Sequence, residues 1–199
     1  MKNVYHILEQ YLGGKRKETI TKEELYMNMA LLSSARSKDP NTQVGACYVS
    51  SDGKLLSIGY NGTPDGWLDD KFPWGNKEDD EKNTKYPYVI HAEMNGITSY
   101  KGSITDFKRS TIYVTLFPCQ NCAKLLIQAG VKRIVYLIDD RQETEDNICT
   151  KTMLEQCGVE YISFQEIHDN DLSSINLSLD LPKNECIKLK KLQKNNNWN

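Results

Sequence analysis

Residues 110–130 read STIYVTLFPCQNCAKLLIQAG. The first eight, rich in β-branched and aromatic side chains, predict a buried strand. From Cys119 to Ala129 the apolar residues recur at helical spacing, and Gly130 supplies a stop. A second strand-helix unit follows, with RIVYLID at 133–139, a helix over about 146–157, and VEYISF at 159–164. Strands separated by helices pair in parallel through right-handed crossovers, with helices on both faces of the sheet.

Upstream, QVGACYVS (43–50) and KLLSIGYN (54–61) flank Ser51-Asp52-Gly53 and read as a β-hairpin, so the sheet opens with an antiparallel pair. The expected architecture is therefore an α/β/α sandwich around a mixed sheet. Before the hairpin, EELYMNMALLSSARSK (23–38) predicts a helix with Leu25, Met29, Leu32 and Ala35 or Arg36 at helical intervals. Thr21 is its expected N-cap and Asp39-Pro40 its stop. His91 to Tyr100 reads as another helix. Between Gly62 and about Pro87 lies a long polar loop containing KEDDEKNTK (77–85), and a loop of that length in a compact domain is functional or disordered. Trp67, Trp74, Tyr86 and Tyr88 flank it, where aromatics either pack on the core or stack on a ligand.

At 199 residues the chain is expected to form one domain with extensions: 1–22, a domain over 23–165, and 166–199. The formal net charge of −2 gives no general attraction for duplex DNA or a membrane surface, which leaves small anionic ligands with local cations as partners. No stretch has the apolar length of a secretory signal or a spanning helix, so a cytoplasmic protein is expected. Beyond 165, SINLSLDL alternates like an edge strand, and the Lys- and Asn-rich end is expected to be partly disordered.

Two motifs carry chemistry, His91-Ala92-Glu93 and Pro118-Cys119-Gln120-Asn121-Cys122, each where coil or strand gives way to helix. Cysteines three apart in a first turn share a face, and a helix N-terminus favours their thiolates. His91 supplies a third ligand, which leaves the fourth tetrahedral position to water, as in catalytic zinc sites. Glu93 is then free to move protons, and hydrolytic deamination of an amidine carbon needs such a shuttle. Alone, the CxxC pair reads equally as a redox couple or half a structural zinc knuckle, and HAE alone reads as an ordinary helix start. Together, H-x-E and P-C-x-x-C are the zinc-deaminase signature. Cys47, Cys149, Cys157, Cys186, His6 and His168 show no spacing for a second site.

The stretches SARSKDPNTQVGAC (34–47), GYNGTPDG (59–66), TKYPYVIHAEMNGI (84–97) and TLFPCQNCAKLLIQAGV (115–131) resemble the deoxycytidylate deaminase family in order and spacing. The resemblance implies a five-stranded mixed sheet, conversion of dCMP to dUMP for thymidylate synthesis, and a homohexamer. It places Zn2+ on His91, Cys119 and Cys122, with Glu93 as proton shuttle. It brings Asn41 towards the nucleotide's sugar and base and Arg36 towards its 5′-phosphate, although Arg36 reads equally as a helix-end cation and Asn41 as a turn residue. Asn61 and Gly62 fall where regulated members bind a triphosphate effector, dCTP activating and dTTP inhibiting, with Mg2+; Asn-Gly is also an ordinary tight turn. Where the family has alanine after its HAE-x-N, this chain has Gly96, and the missing methyl is expected to widen the pocket or shift the helix. Other readings are deamination of dCTP or of nucleic acid, or a non-catalytic zinc module. A polynucleotide substrate needs a basic and aromatic groove, whereas Lys188, Lys190, Lys191 and Lys194 all lie in the tail.

Overall fold

Thr21 opens the first helix in the computed structural model, which describes residues 19–168. Its hydroxyl accepts from the Glu24 amide at 3.2 Å while the Glu24 carboxylate accepts from the Thr21 amide, a reciprocal capping box that satisfies two otherwise unpaired donors. The helix, α1 (Lys22–Ser34), ends earlier than the Asp39-Pro40 stop implies. The stripe that faces the sheet is also not the one expected. Tyr26, Met27, Ala30, Leu31 and Ser34 are buried, while Leu25 and Leu32 remain 43% and 57% exposed. The reason is close approach: a Cβ on Gly45 would lie 1.9 Å from the Ala30 carbonyl oxygen, so the small residues of α1 sit directly on the sheet backbone.

The hairpin forms as expected, β1 (Gly45–Val49) antiparallel to β2 (Leu55–Tyr60), with Gly53 at φ 81° in its turn. The long loop follows, closed at its base by a bridge between Gly62 and Ile90. Then come α2 (Ala92–Thr98), β3 (Thr111–Leu116), α3 (Gln120–Ala129), β4 (Arg133–Ile138), α4 (Glu145–Gln156), β5 (Glu160–Ser163) and a one-turn α5 (Phe164–Ile167) not anticipated from the sequence. Gly130 ends α3 at φ 86°.

The sheet runs in the order β2-β1-β3-β4-β5, antiparallel across β2-β1-β3 and parallel across β3-β4-β5. Its two faces are both covered. Ala46, Tyr48, Ile112, Val114 and Ile134 pack with Ala92, Ile97, Ala123, Leu126 and Leu154 of α2, α3 and α4. The alternate residues Cys47, Val49, Tyr113, Val135 and Leu137 pack with Tyr26, Met27, Ala30, Leu31 and Phe164 on the other side. Period-two alternation feeding two cores is what makes the domain a three-layer α/β/α sandwich with a five-stranded mixed sheet. No described helix is long and apolar enough to cross a membrane. The expected edge strand at SINLSLDL, the tail lysines, His6 and Cys186 lie outside the described residues.

Candidate functional site

The ends of β3 and of the long loop deliver two helix N-termini to one place. His91 is the N-cap of α2 and Cys119 the N-cap of α3, both with extended backbone, and neither side chain caps its own helix. Both side chains are therefore free to point outward. His91 Nδ1 lies 3.5 Å from Cys119 Sγ and 3.4 Å from Cys122 Sγ. A tetrahedral ion with bonds of about 2.3 Å to sulfur and 2.0 Å to nitrogen needs S···N edges of about 3.5 Å, and both S···N edges here match that length. They are the one such cluster of metal-capable groups among the described residues.

The electrostatics agree with a cation site. Hydrogen bonds from Cys122 and then His91 draw the Cys119 thiol well below its ordinary value, which favours a thiolate in the pair. Cys122 is pushed up, first by sharing its proton with Cys119 and then by burial. The hydrogen bond to Cys119 raises His91 above its ordinary value. Cys47, by contrast, is fully buried beneath the sheet, and burial raises its thiol to about 12, which makes it an inert core residue.

Glu93 is 4% exposed in the first turn of α2. Burial pushes its carboxyl up, opposed chiefly by the charge of His91. A carboxyl raised in this way is better matched to both accepting and releasing a proton near neutral pH than an exposed one.

These residues open onto a cavity of about 280 Å³ that Asp39, Thr42, Val44, Asn61, Lys85 and Arg141 help to line. Asp39 organises one wall: its carboxylate accepts from the Asn41 amide at 2.8 Å, the Thr42 amide at 3.0 Å, Asn61 Nδ2 at 3.2 Å and Lys85 Nζ at 2.5 Å. The Asn61 amide group is committed within the chain, accepting from the Val44 amide and donating to the Thr42 carbonyl, while Gly62 exchanges backbone hydrogen bonds with Ile90. Arg36 and Asn41 are exposed and lie outside the cavity lining; their segment contributes Asp39, Thr42 and Val44 instead. Arg141 Nη2 donates to the Phe117 carbonyl at 3.0 Å, which fixes a guanidinium beside the metal ligands. Sequence reasoning missed Asp39, Lys85 and Arg141. A signal for the first two was present, an acid and a base each within a motif quoted for the resemblance; Arg141 has no local signature.

Of the two expectations for Gly96, the wider pocket is corrected and the effect on helix position stands. Gly96 faces the sheet rather than the cavity, and a Cβ there would stand 2.6 Å from the Tyr48 ring, so that ring already fills the space of the missing methyl. Of the loop aromatics, Trp67, Phe72, Trp74 and Tyr88 form a small cluster with ring centroids 4.5–5.2 Å apart, whereas Tyr86 lines the cavity.

A family model described as the cytidine and deoxycytidylate deaminase zinc-binding region matches residues 20–138. The chain is 45% identical over 150 residues to the human deoxycytidylate deaminase, covering 75% of this chain and 83% of that one. It is 45% identical over 152 residues to a probable deoxycytidylate deaminase of Drosophila melanogaster, covering 74% of each. Among solved structures it is similar to the dCMP deaminase from cyanophage S-TIM5 in complex with dCMP and dUMP, at 31% identity and TM-score 0.54, covering 73% of this chain and 99% of that one.

Proposed function

Since the chain belongs to the cytidine and deoxycytidylate deaminase family, we propose that it hydrolyses dCMP to dUMP and ammonia at the His91-Cys119-Cys122 site. The observation that carries this reading is the buried Glu93 carboxyl, in the first turn of the helix that His91 caps, beside a ligand triad with zinc's edge lengths. Zinc, held by His91, Cys119 and Cys122, would supply Lewis acidity towards water there.

Glu93 accepts the proton that water loses as its oxygen bonds to C4 of the base, and returns it to ring N3. A second proton, taken from the new hydroxyl and passed to the amino nitrogen, lets the C4–N bond break and ammonia leave. Water in, ammonia out and the carbonyl of uracil formed balance the step. Val44, Val89, Ala92, Leu116 and Phe117 give the cavity wall its apolar part, against which the base can pack. Thr42, whose amide is held by Asp39, offers a fixed polar group to the nucleotide, while Asn61 braces that wall through its bonds to Asp39, Val44 and Thr42. Arg141 is the cavity cation best placed for the 5′-phosphate, because its pair with Asp140 is long, at 3.9 Å, and partly exposed, whereas Lys85 is buried against Asp39 at 2.5 Å.

Zinc on these three residues, a cytoplasmic enzyme, a homohexamer, and activation by dCTP and inhibition by dTTP with Mg2+ at the Asn61-Gly62 region complete the proposal. The homohexamer and the effector response rest on the family resemblance. The test is ammonia release from dCMP, dCTP, deoxycytidine and a cytosine oligonucleotide, each with and without dCTP or dTTP. Preference for dCMP supports the reading; turnover confined to the oligonucleotide overturns it.

A further inference from the structure

Helix α2 is seven residues long, too short to be stable by its own hydrogen bonds, so the place where Glu93 stands depends on what holds the helix to the sheet. The β1–β2 hairpin holds it at three points. The Tyr48 hydroxyl donates to the Glu93 carbonyl oxygen at 2.7 Å, the Ser57 hydroxyl donates to the Gly96 carbonyl, and Asn95 Nδ2 donates to the Tyr60 carbonyl at 2.8 Å. Two glycines permit this approach. A Cβ on Gly59 would lie 2.1 Å from the Ala92 carbonyl oxygen, and a Cβ on Gly96 would lie 2.6 Å from Tyr48 Cε2 and 3.0 Å from Cδ2.

Tyr48 is 0% exposed and meets Phe107 edge-on at 5.1 Å, so its ring has no free direction in which to yield. Its hydroxyl reaches the one backbone carbonyl that belongs to the proton-shuttle residue, from the side of the sheet opposite α1. A methyl at position 96 would drive either the ring away from that carbonyl or the helix away from the sheet.

We propose that Tyr48 is a positioning residue for Glu93, and that Tyr48 and Gly96 form a matched pair in which the missing methyl makes room for the ring that holds the helix. Tyr48 does not touch the reacting atoms. It acts through the Glu93 backbone, fixing the height of the carboxyl over the metal ligands. This inference rests on the deaminase reading: turnover by the wild type tests that reading, and the ratios among variants test this one.

Tyr48→Phe keeps the ring and removes the single hydrogen bond to Glu93. The expected result is a fall in kcat of about 10-fold, consistent with a small misplacement of a proton shuttle, with KM for dCMP within twofold and zinc content unchanged. An unchanged kcat, or a KM that rises in step with a lost zinc, overturns the positioning role. The pairing is read by a cycle of Gly96→Ala, Tyr48→Val and the double variant, measured by thermal unfolding as well as kcat, so that it can be scored without turnover. Valine suits a strand, and Tyr48→Val removes the ring atoms that a methyl at position 96 would meet. Gly96→Ala is expected to lower both quantities in the wild-type background and to be nearly neutral in the Tyr48→Val background; an equal loss in both backgrounds refutes the matched pair.

Discussion

Lys85→Met tests how the cavity wall is held. Lys85 and Asp39 have side chains 5% and 1% exposed and meet at 2.5 Å, joining the end of the long loop to the segment after α1. Breaking a buried pair by removing one partner costs about 3–5 kcal/mol, because the remaining charge stays buried without its partner. The lower end applies here, since Asp39 keeps three further donors, from Asn41, Thr42 and Asn61. At roughly 2–4 °C per kcal/mol for a chain of this size, a loss of about 3 kcal/mol lowers Tm by roughly 6–12 °C. Calorimetry on zinc-loaded protein measures it. Asp39→Asn with Lys85→Met removes both charges while leaving an acceptor for the two amides, so the double variant is expected to recover part of the loss, a coupling that double-mutant cycles resolve. A Lys85→Met protein within about 2 °C of wild type, or a double variant whose loss is the sum of the singles, would refute the reasoning.

The phosphate assignment separates two arginines: Arg141→Ala is expected to raise KM for dCMP at least 10-fold while leaving deoxycytidine turnover nearly unchanged, and Arg36→Ala to do little to either, as steady-state kinetics on both substrates will show. Zinc binding should release protons with a pH-dependent count. The Cys119-Cys122 pair, with Cys119 drawn down and Cys122 pushed up, shares one proton and contributes it, and His91, raised by its hydrogen bond to Cys119, contributes a second where it is protonated. Calorimetric titration of the apo protein in buffers of different ionisation heat should therefore find about two protons per zinc in mild acid and about one in mild base; a count independent of pH would contradict the ligand assignment. Chelation that strips the metal should abolish turnover, and Zn2+ alone should restore it, while Cys122→Ser should bind zinc at least 10-fold more weakly in a competition assay with a chromophoric chelator.

The clustering of His91, Cys119 and Cys122 was legible because each lies in a short motif at a helix start. The sheet was legible for a similar reason, since β3, β4 and β5 are short runs rich in β-branched and aromatic residues separated by helices, and the hairpin carries its own turn signal. What the sequence hid depends on contacts between distant segments. Asp39, Lys85 and Arg141 span about half the chain and become neighbours only when β1 and β3 pair and β4 follows in parallel. The buried face of α1 was misread because Leu25 and Leu32 are the larger apolar residues on their stripe. Packing against Gly45 instead selects the side with Ala30, Ser33 and Ser34, where two backbones can nearly touch. For Gly96 the sequence left a wider pocket and a shifted helix both open, because the ring that decides between them comes from a strand 48 residues earlier in the chain.

Steady-state turnover of dCMP by wild type and Glu93→Gln, each with its zinc content measured on the same sample, tests the account most directly. Glutamine keeps the size of the side chain but cannot take a proton, and general acid-base catalysis contributes about 10²–10⁴-fold. The account predicts equal zinc in both proteins and a kcat for Glu93→Gln lower by at least 10²-fold. Equal zinc with turnover within a few-fold of wild type would contradict the role of Glu93 and with it the mechanism.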